Sequence, residues 1–353
     1  MTQVISIAGR SIGPGHAAFL IAEVAQAHDG SLGAAHAYID AAAAAGADAI
    51  KFQTHIADAE STLDEPFRVK FSRQDDTRYA YWKRMEFTAE QWAGLAEHAA
   101  SKGLVFLSSA FSVRAVELLT RIKMAAWKVG SGEVASHDLL SAMAKAGGPV
   151  LLSTGMSSYG EVETVVADLR GQGAEVALFQ CTSQYPVAMN NVGLNVIDEF
   201  KRRFDCPVGL SDHSGTVFPA LAAMARGADM IEAHIVFDRR MFGPDTPASL
   251  TPEEFRLLAD ARDAFHQMLG NPVDKDMLAD SLRPTRQIFG KSLALVRDMP
   301  AGTTLTRDML TLKKPGSGIP AAAVDQLIGK QLKRAVDARN LLSWEDVDVR
   351  TPS

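Results

Sequence analysis

The feature of this sequence that most restricts its fold is a regular alternation that begins near residue 18 and ends near residue 268. Eight short apolar runs occur: Phe19–Val24, Ala49–Gln53, Val105–Ser108, Ala126–Val129, Val150–Ser153, Ala177–Cys181, Pro207–Leu210 and Met230–Ile235. Each is followed by a stretch with helical periodicity: Leu32–Ala45, Thr88–Lys102, Val113–Thr120, His137–Ala146, Ser158–Gln172, Val192–Arg203, Thr216–Arg226 and Pro252–Met268. Runs that are short, apolar on both faces and separated by helices read as strands of a parallel sheet. Eight such units in about 270 residues predict an α/β fold, a closed (β/α)8 barrel. The long insertion 54–87 carries Phe, Tyr, Trp, Arg and Asp, which predicts a loop or lid over the barrel mouth.

The pattern changes after about Met277, so the barrel domain is read as residues 1–280. Residues 281–291, SLRPTRQIFGK, read as a linker, extended enough to cross between subunits. Residues 292–353 are short segments densely punctuated by Gly and Pro, which predicts a compact, mostly β module. A net charge of −6 argues against nucleic acid as partner. No run of apolar residues is long enough to span a membrane, and the N-terminus lacks the basic-then-apolar secretory pattern. Cys181 and Cys206 are the two cysteines, without a CxxC, consistent with reduced thiols in the cytoplasm.

Function is sought at the strand ends, because the C-terminal ends of barrel strands converge on one mouth. There the sequence places a ring of polar residues: Glu23, Lys51, Gln53, Ser109, Lys128, Ser131, Glu133, Ser153, Tyr185, Ser211, His213 and His234. Lys51 and Lys128 stand in otherwise apolar strands, where an unpaired ammonium is costly. Either they form structural salt bridges with Glu23 or Glu133, or they await an anion. The turns at 130–132 and 153–155 add hydroxyls and backbone N–H groups suited to phosphate or carboxylate oxygens. His213 and His234 close successive strands beside Ser211, Asp212, Glu232 and Asp245, a setting in which two imidazoles share one metal ion. A lysine in a barrel also suits a Schiff-base aldolase acting on sugars, which stays open as an alternative.

The motifs IAEVAQAHDGSL, KFQTHIADAEST, FLSSAFS, KVGSGE, LSTGM, CTSQYP, GLSDHS, EAHIVFD and GPDTPASL follow one another in order. In series they resemble the N-acetylneuraminate (sialic acid) synthase family, which includes the legionaminic and pseudaminic acid synthases. The tail resembles the SAF, or antifreeze-like, module of that family. The resemblance implies a transferase that condenses phosphoenolpyruvate with the open-chain aldehyde of an N-acetylated hexosamine. It implies a divalent metal, Mn2+ with Mg2+ or Co2+ as alternatives, on His213 and His234. Lys51, Ser109, Lys128, Ser131, Ser153 and Ser211 match positions that hold phosphoenolpyruvate. Gln53, Tyr185 and Asp245 match positions around the sugar, and Glu23 and Glu133 fit proton handling. The resemblance further implies a homodimer with exchanged caps, in which Lys314 faces the partner's sugar. Its text, Lys313-Lys314-Pro315-Gly316, departs from the family's KRPG, and lysine cannot make a planar bidentate contact. AQAH replaces GxNH, so Ala27 stands where an asparagine is usual. The module alone would also suit a non-catalytic sugar-binding protein.

Overall fold

A computed structural model describes residues 3–348. The chain divides into two compact units, one ending at Asn271 and the other beginning at Pro272. In the first unit, strands β1 (Ile5–Ile7) and β2 (Arg10–Ile12) form an antiparallel hairpin. Eight parallel strands then close a barrel: β3 (Phe19–Ala25), β4 (Ala49–Thr54), β5 (Val105–Ala110), β6 (Trp127–Val129), β7 (Val150–Ser153), β8 (Val176–Cys181), β9 (Val208–Asp212) and β10 (Met230–His234). The predicted strands are all present, each within two residues at either end.

Helix α1 (Leu32–Ala44) follows β3, and the insertion after β4 contains two helices, α2 (Ala57–Glu60) and α3 (Arg78–Met85). The rest of the outer layer is α4 (Ala89–Ser101), α5 (Val113–Arg121), α6 (His137–Ala146), α7 (Tyr159–Gly171), α8 (Asn195–Phe204), α9 (Phe218–Ala225) and α10 (Pro252–Gly270). Several starts are set by side-chain caps. Thr88, Ser158 and Thr251 each form a reciprocal capping box with the residue three positions on. The insertion is a small folded piece rather than bare loop: Ala57, Tyr81, Trp82 and Met85 pack together with Phe67 and Phe71.

Alternation along each strand sorts the barrel into two cores. Leu20, Ala22 and Val24 of β3, Ile50 and Phe52 of β4, and Ile231 and Ala233 of β10 face outward onto the helices. Phe19, Ile21, Ala49, Leu107, Leu151, Phe179 and Met230 face inward. Ile5, Ile7 and Ile12 of the hairpin join that inner cluster, so the hairpin plugs the N-terminal end of the barrel. Gly209 of β9 sits on the same inner layer, and a Cβ there would come within 2.8 Å of the Phe179 ring. The glycine lets the large ring fill the tube.

In the second unit, α11 (Lys275–Ser281) and α12 (Arg283–Phe289) precede a two-stranded antiparallel sheet of β11 (Ser292–Leu295) and β12 (Leu310–Lys313). Residues 283–289, read as extended linker, are therefore helical. A small core of Leu293, Leu295, Leu305, Leu327, Leu332, Leu342 and Val347 holds the module, which includes the short helix α13 (Val324–Leu327) and isolated β-bridges. Among the described residues no helix is long and apolar enough to cross a membrane. Cys181 and Cys206 are buried free thiols.

Candidate active site

The inward faces of the strands change character at their C-terminal ends. Glu23, Lys51, Gln53, Ser109, Lys128, Ser153, Cys181, Ser211, Glu232 and His234 all line a cavity of about 650 Å³. Ser131, Glu133, Tyr185, His213 and Asp245 reach the same cavity from the loops beyond the strands. Every candidate named from the sequence is thus brought together except Lys314, which belongs to the second unit and lies 5.5 Å from the Phe289 ring.

At the cavity floor the two lysines share one carboxylate. Lys51 Nζ is 2.7 Å from Glu23 and 3.4 Å from Glu232, and it donates to Ser109 Oγ at 3.3 Å. Lys128 Nζ donates to Ser153 Oγ at 2.5 Å and stands 3.6 Å from Glu232. Ser211 Oγ donates to Glu232 at 3.0 Å. Of the two salt-bridge partners left open by the sequence, Glu23 pairs Lys51, whereas Glu133 lies at the rim, accepting from Ser136 Oγ at 2.7 Å, and Glu232 faces both lysines. Parallel register explains the pairings, since Glu23 is level with Lys51 and with His234, and Ser109 with Lys128.

Burial dominates the protonation of this cluster. It raises the Glu23 carboxyl above the ordinary range, against the pull of Lys51. Burial works on Glu232 the same way, but Lys128 and Lys51 together outweigh it and hold that carboxylate low. Lys51 is kept high, since Glu23 and Glu232 overcome the desolvation that would lower it. Lys128 is lowered, because burial, aided by Lys51, exceeds the help from Glu232. Near neutral pH Glu23, raised to about 7, carries only part of a charge, so the two lysines face little more than the one full carboxylate of Glu232, a setting suited to an anion.

Above the floor sit the two histidines, with ring centroids 5.3 Å apart. Burial pushes His213 down to about 3, helped by His234, and His234 down to about 3, helped by Lys51. Both imidazoles are therefore neutral. His213 Nδ1 lies 3.1 Å from the Thr182 carbonyl, which fixes a proton on that nitrogen and leaves Nε2 as a lone pair. Tyr185 packs 4.0 Å from the His213 ring. Over Tyr185 lies Arg68 of the insertion, 4.2 Å from its ring centre and 2.5 Å from Asp245. Gly155 supports the opposite wall: its N–H donates to Ser131 Oγ at 3.0 Å. A Cβ there would fall 2.5 Å from Ser183 Oγ and 2.9 Å from Cys181 Sγ.

The sequence names Glu232 only as polar company for the histidines; it stands two positions before His234 in one strand, and the two-residue period puts both on the same face. His55, inside the KFQTHIADAEST motif, and Arg68 receive no role from the sequence, because their contacts depend on how the insertion folds.

The fold and the site define a (β/α)8 enzyme whose mouth gathers two buried lysines at its floor, beneath neutral imidazoles and a polar rim. The chain belongs to the NeuB family, which it matches over residues 38–274, and residues 290–348 match the SAF domain. It is an enzyme of the N-acetylneuraminate synthase type. It is 33% identical to the N-acetylneuraminate-9-phosphate synthase of Homo sapiens, over 96% of this chain and 95% of that one. It is 32% identical to an N,N'-diacetyllegionaminic acid synthase of Campylobacter jejuni, over 88% of this chain and 94% of that one. Among solved structures, an N-acetylneuraminic acid synthetase of Leptospira borgpetersenii, crystallised with citrate, superposes with a TM-score of 0.71 at 30% identity, covering 81% of this chain and 98% of that one.

Proposed function

We propose that this enzyme condenses phosphoenolpyruvate with the open-chain aldehyde of an N-acetylated hexosamine, giving a sialic-acid-like nonulosonic acid and inorganic phosphate. The observation that carries the reading is the pair of buried lysines, Lys51 and Lys128, sharing the single low carboxylate of Glu232. Such a floor suits a small substrate bearing phosphate and carboxylate, with the hydroxyls of Ser109, Ser131, Ser153 and Ser211 completing its contacts. Gln53, Tyr185 and Asp245 surround the sugar, whose hydroxyls displace Arg68 from Asp245.

In the reaction, C3 of phosphoenolpyruvate bonds to the aldehyde carbon, water adds at C2, and phosphate leaves from C2. Glu23, raised by burial, exchanges a proton near the ordinary working pH, and Glu133 takes the proton of the incoming water. Holding both reactants in one cavity converts an encounter into a local event.

His213 and His234 would hold a divalent metal, Mn2+ in the first instance, with Mg2+ or Co2+ admitted. The donor set fits: two neutral imidazoles line one cavity, and burial keeps the neighbouring Cys181 a thiol rather than a thiolate. Among the described residues no cluster of three metal-binding side chains occurs, so oxygen from water or substrate would complete the shell. When bound, the metal supplies Lewis-acid polarisation of the aldehyde oxygen.

We place the enzyme in the cytoplasm, as a homodimer in which the SAF module of one chain, with Lys314, caps the barrel of its partner. A monomeric mass in solution ends that part of the reading. The reaction is tested by phosphate release across N-acetylmannosamine and its deoxy and diacetamido relatives, with Mn2+ present and with EDTA. Release with one of these aldehydes, abolished by EDTA, is expected. No release with any overturns the reaction, and full activity in EDTA overturns the metal. A covalent adduct with pyruvate after borohydride reduction would instead identify a lysine aldolase.

A further inference from the structure

A chain of hydrogen bonds leaves the floor of the cavity and ends in a side chain that the reaction above does not use. Gln53 Nε2 donates to Glu23 Oε1 at 3.0 Å. Gln53 Oε1 in turn accepts from Gln26 Nε2. The same Gln26 nitrogen lies 2.9 Å from His55 Nε2. On its far side, His55 Nδ1 is 2.5 Å from Glu60 Oε1. The imidazole is buried and clamped between two rings, Trp82 at 3.9 Å and Phe111 at 4.5 Å, both near parallel to it.

We propose that His55, held by Glu60, is a positioning residue that sets the direction of both glutamine amides, so that Gln53 presents an N–H to Glu23. The inference deepens the proposed function, on which it rests for the role of Glu23.

The argument is one of donors and acceptors. A carboxylate facing Nδ1 requires the proton on that nitrogen, and in the neutral imidazole that leaves Nε2 a lone pair. Gln26 must then turn its NH2 group toward His55, and its two hydrogens serve His55 Nε2 and Gln53 Oε1. With its oxygen so occupied, Gln53 can offer Glu23 only its nitrogen. The 3.3 Å approach of His55 Nε2 to Gln53 Oε1 is then two acceptors bridged by one donor, not a bond of its own. Reversing any member reverses the rest. A proton on Nε2 would turn Gln26 over, turn Gln53 over, and set a carbonyl oxygen against the Glu23 carboxylate. That arrangement is tolerable only when Glu23 is protonated. The direction of the chain therefore decides how readily Glu23 gives up its proton, and the aromatic clamp keeps the imidazole from rotating out of the chain.

Two measurements test it, one independent of activity. In 15N spectra of the imidazoles, the signals missing from His55→Phe belong to His55; they should show Nδ1 protonated and Nε2 bare. A proton on Nε2 overturns the proposal. His55→Phe also keeps a ring between Trp82 and Phe111 while removing both nitrogens. Its kcat should fall about ten- to a hundredfold, as for loss of one bond to a charged group. Its KM for phosphoenolpyruvate should stay within about twofold, and the acidic limb of its kcat profile should move up by about one pH unit. Wild-type kcat and an unmoved limb overturn the proposal. Should His55→Phe fail to fold, Glu60→Gln leaves the clamp whole; it should shift the His55 signals toward a proton on Nε2 and lower kcat alike, and wild-type behaviour in both overturns the proposal. If the wild type releases no phosphate, the reaction is wrong, and the imidazole spectra still decide the direction of the chain.

Discussion

Two rungs of the barrel interior, one step apart, differ completely in composition. The lower rung contains Ile21, Ala49, Leu107, Ala126, Leu151, Phe179, Gly209 and Met230. Two residues further along the same strands come Glu23, Lys51, Ser109, Lys128, Ser153, Cys181, Ser211 and Glu232. The displacement is about 6.6 Å along each strand. Below it, side chains fill the tube and nothing needs a partner. Above it, every charged group is buried, and its desolvation is offset only by its neighbours. The contrast teaches that folding and chemistry are separated here by position along a strand, not by domain. The lower rung stabilises; the upper rung is tolerated because the lower one exists.

Three experiments press on that contrast. The largest effect is expected below. Leu151→Ala removes a fully buried side chain from a closed layer and should cost about 2–5 kcal/mol of stability, read by denaturant unfolding. Activity per folded molecule should stay near wild type; a large loss of kcat at full folding would show the rungs to be coupled.

Lys128→Met tests the upper rung. It keeps the stem and volume but removes the charge, and charge-assisted bonds are worth on the order of 1.5–3 kcal/mol. Affinity for phosphoenolpyruvate should fall roughly ten- to a hundredfold. Stability should fall by less than the roughly 3–5 kcal/mol of a wholly unpaired buried charge, because Lys51 still faces Glu232. An unchanged Michaelis constant would make Lys128 a structural cation.

At neutral pH the smallest effect concerns His28, buried outside both rungs and packed 4.9 Å from Phe87. Burial, aided by the charge of Arg84, pushes it down to about 3. Its folded state refuses a proton that the unfolded chain accepts near pH 6.5, so the stability it contributes is present above that pH. As the pH falls from there toward 3, the fold loses roughly 1.4 kcal/mol per unit. His28→Gln should flatten the acid side of the stability profile by about one proton; an identical slope in both proteins would remove His28 from the account.

Much of the upper rung was legible in the sequence, because a charged residue inside a short apolar run has few places to be. Lys51, Lys128 and Glu23 announce themselves in that way. The partner of Lys128 did not: Glu133 and Glu232 both lay near strand ends, and only the inward face of β10 decides for Glu232. The hairpin that closes the lower end escaped because its strands are three residues each and its turn, Ala8-Gly9, lacks an Asn-Gly or Asp-Gly signal. Helix α12 escaped because Pro284 reads as a breaker, whereas it sits in the first turn, where a missing N–H costs nothing. Arg68 and His55 owe their positions to α2 and α3, whose packing no local pattern foretells.

The plug formed by Ile5, Ile7 and Ile12 gives the tube a single door. Whatever reaches the lysines must pass the place where Tyr185 and Asp245 stand, and whatever stands there blocks the way behind it. Traffic in such a vessel queues by depth: the occupant of the floor arrives first and departs last. On the proposed reading, phosphoenolpyruvate on the floor and the sugar above it would have to enter in that order, and an excess of sugar would bar the enzyme's own first guest.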